Sequence, residues 1–233
     1  MDYLNNLLFG IYPYIALVVF VVGSLIRYDR DQYSWKTGSS QMLESKMLRK
    51  GSMPFHVGII AVLAGHFVGL LTPHQVWDFL HITAPMKQVF AMAMGGFFGL
   101  ICFYGLTILI IRRFTNERVK ASSSSMDNLI LVLIYIQLIM GLISIFVSMG
   151  HMNGAEMLKL MAWAQYLVTF QGSAAAAAMA DVHIIFKLHI LLGMSLFLIF
   201  PFSRLVHVWS VPVKYLRRNY QIVRTKIDRN VQS

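Results

Sequence analysis

The sequence predicts an all-α integral membrane protein, a bundle of five transmembrane helices with its N-terminus outside and its C-terminus in the cytoplasm. Three observations lead there. Of 233 residues, 57% are hydrophobic and 13% charged, about half the charge of a soluble domain. Five stretches have the length and apolarity needed to cross the hydrocarbon core, which takes roughly 20 residues of helix. Basic residues crowd alternate loops, as the positive-inside rule asks of cytoplasmic ones.

The first span is expected over 4–26. The preceding residues, Met1-Asp2-Tyr3, lack the basic n-region of a secretory signal, so the segment is expected to be retained as the start of that span. Loop one carries Arg27, Arg30, Lys36, Lys46, Arg49 and Lys50. The second span is expected over 54–71, followed by a loop whose one basic residue is Lys87. Span three, 88–111, leads into Arg112, Arg113, Arg118 and Lys120, and span four, 127–149, into a long loop with only Lys159. Within that loop AEMLKLMAWAQYLVTF (155–170) is too short to cross but has the Trp and Tyr of an interfacial or re-entrant helix. The alanine run 174–178 favours helix by propensity. Span five, 182–209, has Lys187 and Arg204 near its opposite ends and is long enough to project beyond the bilayer. After it comes a basic tail, 210–233, with Lys214, Arg217, Arg218, Arg224, Lys226 and Arg229.

Loop counts of six, one, four, one and six place loops one and three and the tail in the cytoplasm. The excess of 20 Lys+Arg over 10 Asp+Glu is thus a topology signal and not a nucleic-acid footprint. The basic loop and tail also suit a docked partner or anionic lipid. No repeat or second domain is visible, so residues 1–233 read as one unit. A single cysteine, Cys102, excludes disulfides and an iron–sulfur cluster held by this chain alone.

Histidine is costly in a bilayer, and an intramembrane ionisable group marks a functional site by default. Span two holds His56 and His66, and span five His189 and His207. Because the two spans run antiparallel, depth pairs His56 with His207 and His66 with His189. Neutral imidazole is an axial haem ligand, and two histidines on each of two helices suit two stacked haems. Eighteen residues make five full turns, so His189 and His207 share a face; ten residues fall about 80° short of three turns, so His56 and His66 look to one general side. Axial separations agree less well, about 15 Å on span two against about 27 Å on span five. His183 lies about 120° from His207 around the helix and reads as an interfacial histidine. The competing reading of the four is packed or channel-lining histidines bonded to carbonyls.

Gly58, Gly65, Gly69 and Gly193 flank these positions. They suit either the walls of a planar macrocycle or close helix packing, and Gly65/Gly69 and Gly95/Gly99 have the G-x-x-x-G form. Arg204 and Arg112, with Arg113 beside it, are candidate partners of haem propionates or snorkelling anchors.

The stretches IYPYIALVVFVVGSLIRYDRDQYSWKTGSSQMLE, FHVGIIAVLAGHFVGLLTPH, WAQYLVTF and FKLHILLGMSLFLIFPFSRLVHVWSVPVKYL resemble the gamma subunit of membrane-bound respiratory nitrate reductase, a di-haem cytochrome b. The likeness is weakest over QGSAAAAAMADVH and beyond Tyr220, so no role is carried onto those residues. It implies two b haems, on His56/His207 toward the cytoplasm and on His66/His189 toward the outside. It also implies a quinol site (menaquinol or ubiquinol) near the outer haem, with Lys87 contributing beside Gly65 and His66. Electrons would pass through both haems to iron–sulfur and molybdenum subunits on the cytoplasmic face of a bacterial inner membrane. Nitrate would be reduced to nitrite there, with a contribution to proton-motive force.

Two other readings stay open from the residues. One is the di-haem anchor of another quinone-linked enzyme, such as a formate dehydrogenase or hydrogenase. The other is a haem-free scaffold or ion-conducting protein using the histidines as a proton relay, which would be expected to carry carboxylates within its spans. Here the ten acids fall in loops or at span edges.

Overall fold

A computed structural model describes residues 2–31 and 43–210. Lys36 and the basic tail after Ser210 lie outside these. The elements in chain order are α1 (Tyr3–Arg30), α2 (Ser45–Leu71), α3 (His74–Phe79), α4 (Ala84–Thr115), α5 (Glu117–Ala121), α6 (Ser125–Met149), α7 (Ala155–Val168), α8 (Gly172–Ala178) and α9 (Ile184–Ile199). Helix α1 includes one π-helical stretch, Leu7–Ile11. Two 3₁₀ segments, Phe200–Phe202 and Arg204–Ser210, follow α9. Helices α1, α2, α4 and α6, and α9 with its first 3₁₀ turn, are long and apolar enough to span a bilayer. No strand occurs among the described residues, as a membrane chain requires when every backbone polar group must be satisfied within its own helix.

Local signals set the ends. Thr83 caps α4 with Pro85 in its first turn. Ser124 and Asp127 form a reciprocal capping box at the start of α6. Gly154 adopts φ +78°, and a Cβ there would stand 2.7 Å from that of Ala84, so the tight entry to α7 needs glycine. His183 caps α9, its Nδ1 accepting from the Ile185 N–H. The 155–170 stretch and the alanine run are both helical, as α7 and α8.

The spans pack in the series α2–α4–α6–α9–α1. The tightest approach is α2 on α4, where Gly58 lies against Cys102 and Gly105 against Gly51 and Phe55. One end of the bundle is basic, bearing Arg27, Arg112, Arg113 and Arg204. At the other end α7 and α8 fold back over the spans around a buried cluster of Phe9, Trp163, Leu167, Met179 and Phe186. Trp163 Nε1 donates to Phe9 O at 3.0 Å, Tyr14 Oη to Leu167 O at 3.1 Å, and Gln165 Nε2 to Thr72 O at 3.1 Å.

The fifth span departs from expectation. It is not one helix over 182–209: α-helix ends at Ile199, and Ser203 is extended (φ −118°, ψ 177°). Pro201 explains the break, having no N–H to donate and a ring that crowds the preceding turn. Arg27 of α1 caps it, donating to Pro201 O at 2.6 Å and Ser203 O at 2.8 Å. His207 therefore sits on a redirected 3₁₀ segment, and the 27 Å spacing expected of a straight helix does not apply.

Candidate functional site

The four histidines meet in the two pairs expected from their depth. His56 and His207 have ring centres 6.4 Å apart at an interplanar angle of 71°. His66 and His189 have centres 6.1 Å apart at 28°. Thus α2 and the fifth span face one another through their imidazoles.

Three of these rings declare their tautomer. His56 Nδ1 is 2.7 Å from Ser52 O, His66 Nδ1 2.8 Å from Val62 O, and His207 Nδ1 2.6 Å from Arg204 O. A carbonyl has no hydrogen to give, so each Nδ1 is the donor, and the lone pair of the neutral ring lies on Nε2. Donation from the second ring nitrogen to a carbonyl is the habit of a metal-bound histidine.

The pairs also fit haem iron in spacing and number. Two imidazole–metal bonds of about 2 Å in line, plus the ring radii, put ring centres roughly 6 Å apart. Among the described residues no three His, Cys, Asp or Glu side chains gather to hold a metal. Two ligands leave a bare ion under-coordinated but complete an iron whose other four positions belong to a macrocycle. Gly65, beside His66, and Gly69 and Gly95 have no heavy atom within 4 Å of where a Cβ would stand. The glycines flanking the histidines thus divide: Gly58 serves helix packing, Gly65 and Gly69 leave room, and Gly193 faces Gln137.

At the end away from the basic face, Lys87 is almost fully buried, 6% exposed. Its Nζ donates to Gly69 O at 2.7 Å, faces Met161 Sδ, and lies 4.3 Å from the centre of the Trp77 ring. Gly69 is three residues past His66, so Lys87 is tied to the end of α2 that carries this histidine. Sequence reasoning missed Trp77 and Met161, which reach Lys87 from α3 and α7. Next to Lys87, buried Gln88 holds the turn before α7, accepting from Gly154 N at 2.8 Å and donating to Ser148 O and His151 O, each at 2.9 Å.

On the basic face Arg204 grips Asp127 with two bonds, 2.7 and 2.8 Å, while its own carbonyl accepts from His207. Arg112 donates to Leu43 O and Glu44 O, and Arg113 to Ser123 Oγ. The acidic partner of Arg204 had no local signal, being 77 residues away.

Comparison with known proteins gives a consistent picture. The family model described as nitrate reductase gamma subunit matches residues 5–226. The chain is 49% identical over 226 residues to the respiratory nitrate reductase 1 gamma chain of Escherichia coli (strain K12), covering 97% of this chain and 100% of that one. It is 45% identical to the respiratory nitrate reductase 2 gamma chain of the same organism, over 97% and 99% of the two chains. Likeness to the nitrate reductase gamma chain of Bacillus subtilis (strain 168) is 36%, over 95% and 99%.

Proposed function

The chain belongs to the nitrate reductase gamma subunit family, and from that premise we propose that it is the quinol-oxidising, di-haem cytochrome b subunit of a respiratory nitrate reductase. The observation that carries the haem assignment is the pair of imidazole couples with centres 6.4 and 6.1 Å apart. His56 and His207 would hold one haem b, and His66 and His189 the other. When bound, the two haems supply a one-electron relay along the bundle.

The residues of this chain set the rest. Lys87, with Gly65 and His66, forms the quinol end; an ammonium there donates to a quinol oxygen and favours loss of its protons. Arg204 and Arg112 on the basic face are assigned to propionates of the His56/His207 haem, a charge-assisted role alongside the protein bonds they make. By the positive-inside rule the basic face is cytoplasmic, so the N-terminus and the Lys87 end lie outside the bacterial inner membrane. Each quinol gives up two electrons and releases two protons outside. The electrons leave through the basic face to iron–sulfur and molybdenum subunits, where nitrate takes up two electrons and two protons to yield nitrite and water. Inward movement of electrons stores about 2.3 kcal/mol per charge per 100 mV, which gives this arrangement its energetic purpose.

The test is a dithionite-reduced minus oxidised optical spectrum of the purified protein made with haem supplied, with haem quantified per chain. Two low-spin b haems per chain are expected. A folded sample without haem would overturn the proposal.

A further inference from the structure

The four histidines are not held alike. For three of them the Nδ1 proton goes to a main-chain carbonyl three or four residues back, a partner that no side-chain substitution removes. His189 has no such bond: its Nδ1 is buried with no partner among the described residues. The polar side chain facing it is Gln137, near the middle of α6. Gln137 Nε2 donates to His189 O at 3.0 Å and lies 3.2 Å from the ring nitrogen Nε2. Gln137 Oε1, like His189 Nδ1, is buried without a partner.

Reciprocal glycine notches seat this pair. A Cβ on Gly141, one turn after Gln137, would stand 3.1 Å from His189 Cε1. A Cβ on Gly193, one turn after His189, would stand 3.2 Å from Gln137 Nε2. Each helix thus opens a gap for the polar side chain of the other. Both contacts are tighter than ordinary van der Waals distance, so the space is fitted to these groups.

We propose that Gln137, seated by Gly141 and Gly193, is the positioning residue of His189: it orients the imidazole, and when the ring commits Nε2 to iron as at the other three histidines, a turn of ring and amide lets Gln137 Oε1 accept from His189 Nδ1. This rests on the haem assignment above. An imidazole bound through one nitrogen must satisfy the N–H on the other, and the hydrocarbon core offers no water for it. The amide nitrogen faces ring Nε2, and the orphaned Oε1 of the same amide is the acceptor that this turn presents to Nδ1. Accepting that proton makes the ring a stronger electron donor, which lowers the potential of the iron it binds.

The test is a redox titration of the assembled complex, read optically and by the low-spin electron paramagnetic signals, for Gln137→Leu and Gln137→Glu. In Q137L one haem is expected to rise in potential and change its signal while the other is unmoved. Q137E retains an acceptor and is expected to keep that haem at or below its original potential. Unmoved potentials in Q137L, or a rise in both variants, would overturn the proposal. Should Q137L lose that haem altogether, Q137E decides: retention at or below the original potential supports the role, and loss or a rise defeats it. Failure to find two haems in the unsubstituted complex would instead defeat the proposed function itself.

Discussion

The two ends of the bundle present the same motif, one histidine from α2 facing one from the fifth span, and hold it in opposite ways. At the basic end His207 lies on a 3₁₀ segment outside regular helix. It is held by charge: Arg27 caps the broken helix, and Arg204 clamps Asp127 at 2.7 and 2.8 Å. At the other end His189 stays within α9 and is held by shape and neutral bonds, Gln137 and two glycines, under a lid of α7 and α8 packed around Trp163 and Met179. Ionic clamps work at a bilayer surface, where guanidinium groups reach water and headgroups. In hydrocarbon an unpaired charge is expensive, so amides and close packing do the same work. One chain thus solves one geometric problem twice, each time with the chemistry that its depth permits.

The sharpest way to separate the ends is to delete one histidine from each. His189→Ala and His207→Ala are each expected to halve the haem content, from two to one per chain, and to spare the opposite site. Loss of both haems from either variant, measured by pyridine haemochrome, would mean that the ends form one folding unit. A smaller effect confined to one end is expected of Lys87→Ala. Losing a charged hydrogen bond of about 1.5–3 kcal/mol slows haem reduction by added quinol roughly tenfold or more, with both haems retained. An unchanged rate in stopped-flow measurement would remove Lys87 from the quinol site. The mildest perturbation is Asp127→Asn. The ion pair is mostly shielded, with side chains 24% and 14% exposed, and weakening it is expected to cost about 1–2 kcal/mol. The readout is thermal release of haem from the His56/His207 site alone, in a His189→Ala background. Equal loosening of the His66/His189 haem in the converse background would erase the contrast between charge and shape.

Much of this was legible in the chain because it is written in local pattern. Apolar runs mark the spans, and α7 shows in a 155–170 stretch too short to cross and rich in aromatic residues. The pairing of histidines by depth followed from antiparallel direction alone. What escaped was of two kinds. The break in the fifth span had a local signal, Pro201, overridden by the length of the apolar run. The partners of Arg204, His189 and Lys87 had none, since Asp127, Gln137 and Met161 come from other helices 77, 52 and 74 residues away. Gly193 illustrates the ambiguity: its place one turn after His189 was visible, but that its notch admits an amide of α6 depends on how α6 and α9 cross.

The clamp of Arg27 on Pro201 and Ser203 joins the first span to the last, 174 and 176 residues apart. At about 5–20 residues per second, ribosomal synthesis separates the two partners by roughly 10–35 s. For that interval α1 sits in the membrane with its arginine lacking the carbonyls it will hold in the finished bundle. His56 and His66 likewise wait on the final fifth of the chain for their counterparts. Biogenesis is therefore ordered: neither imidazole couple can close before the last span is delivered.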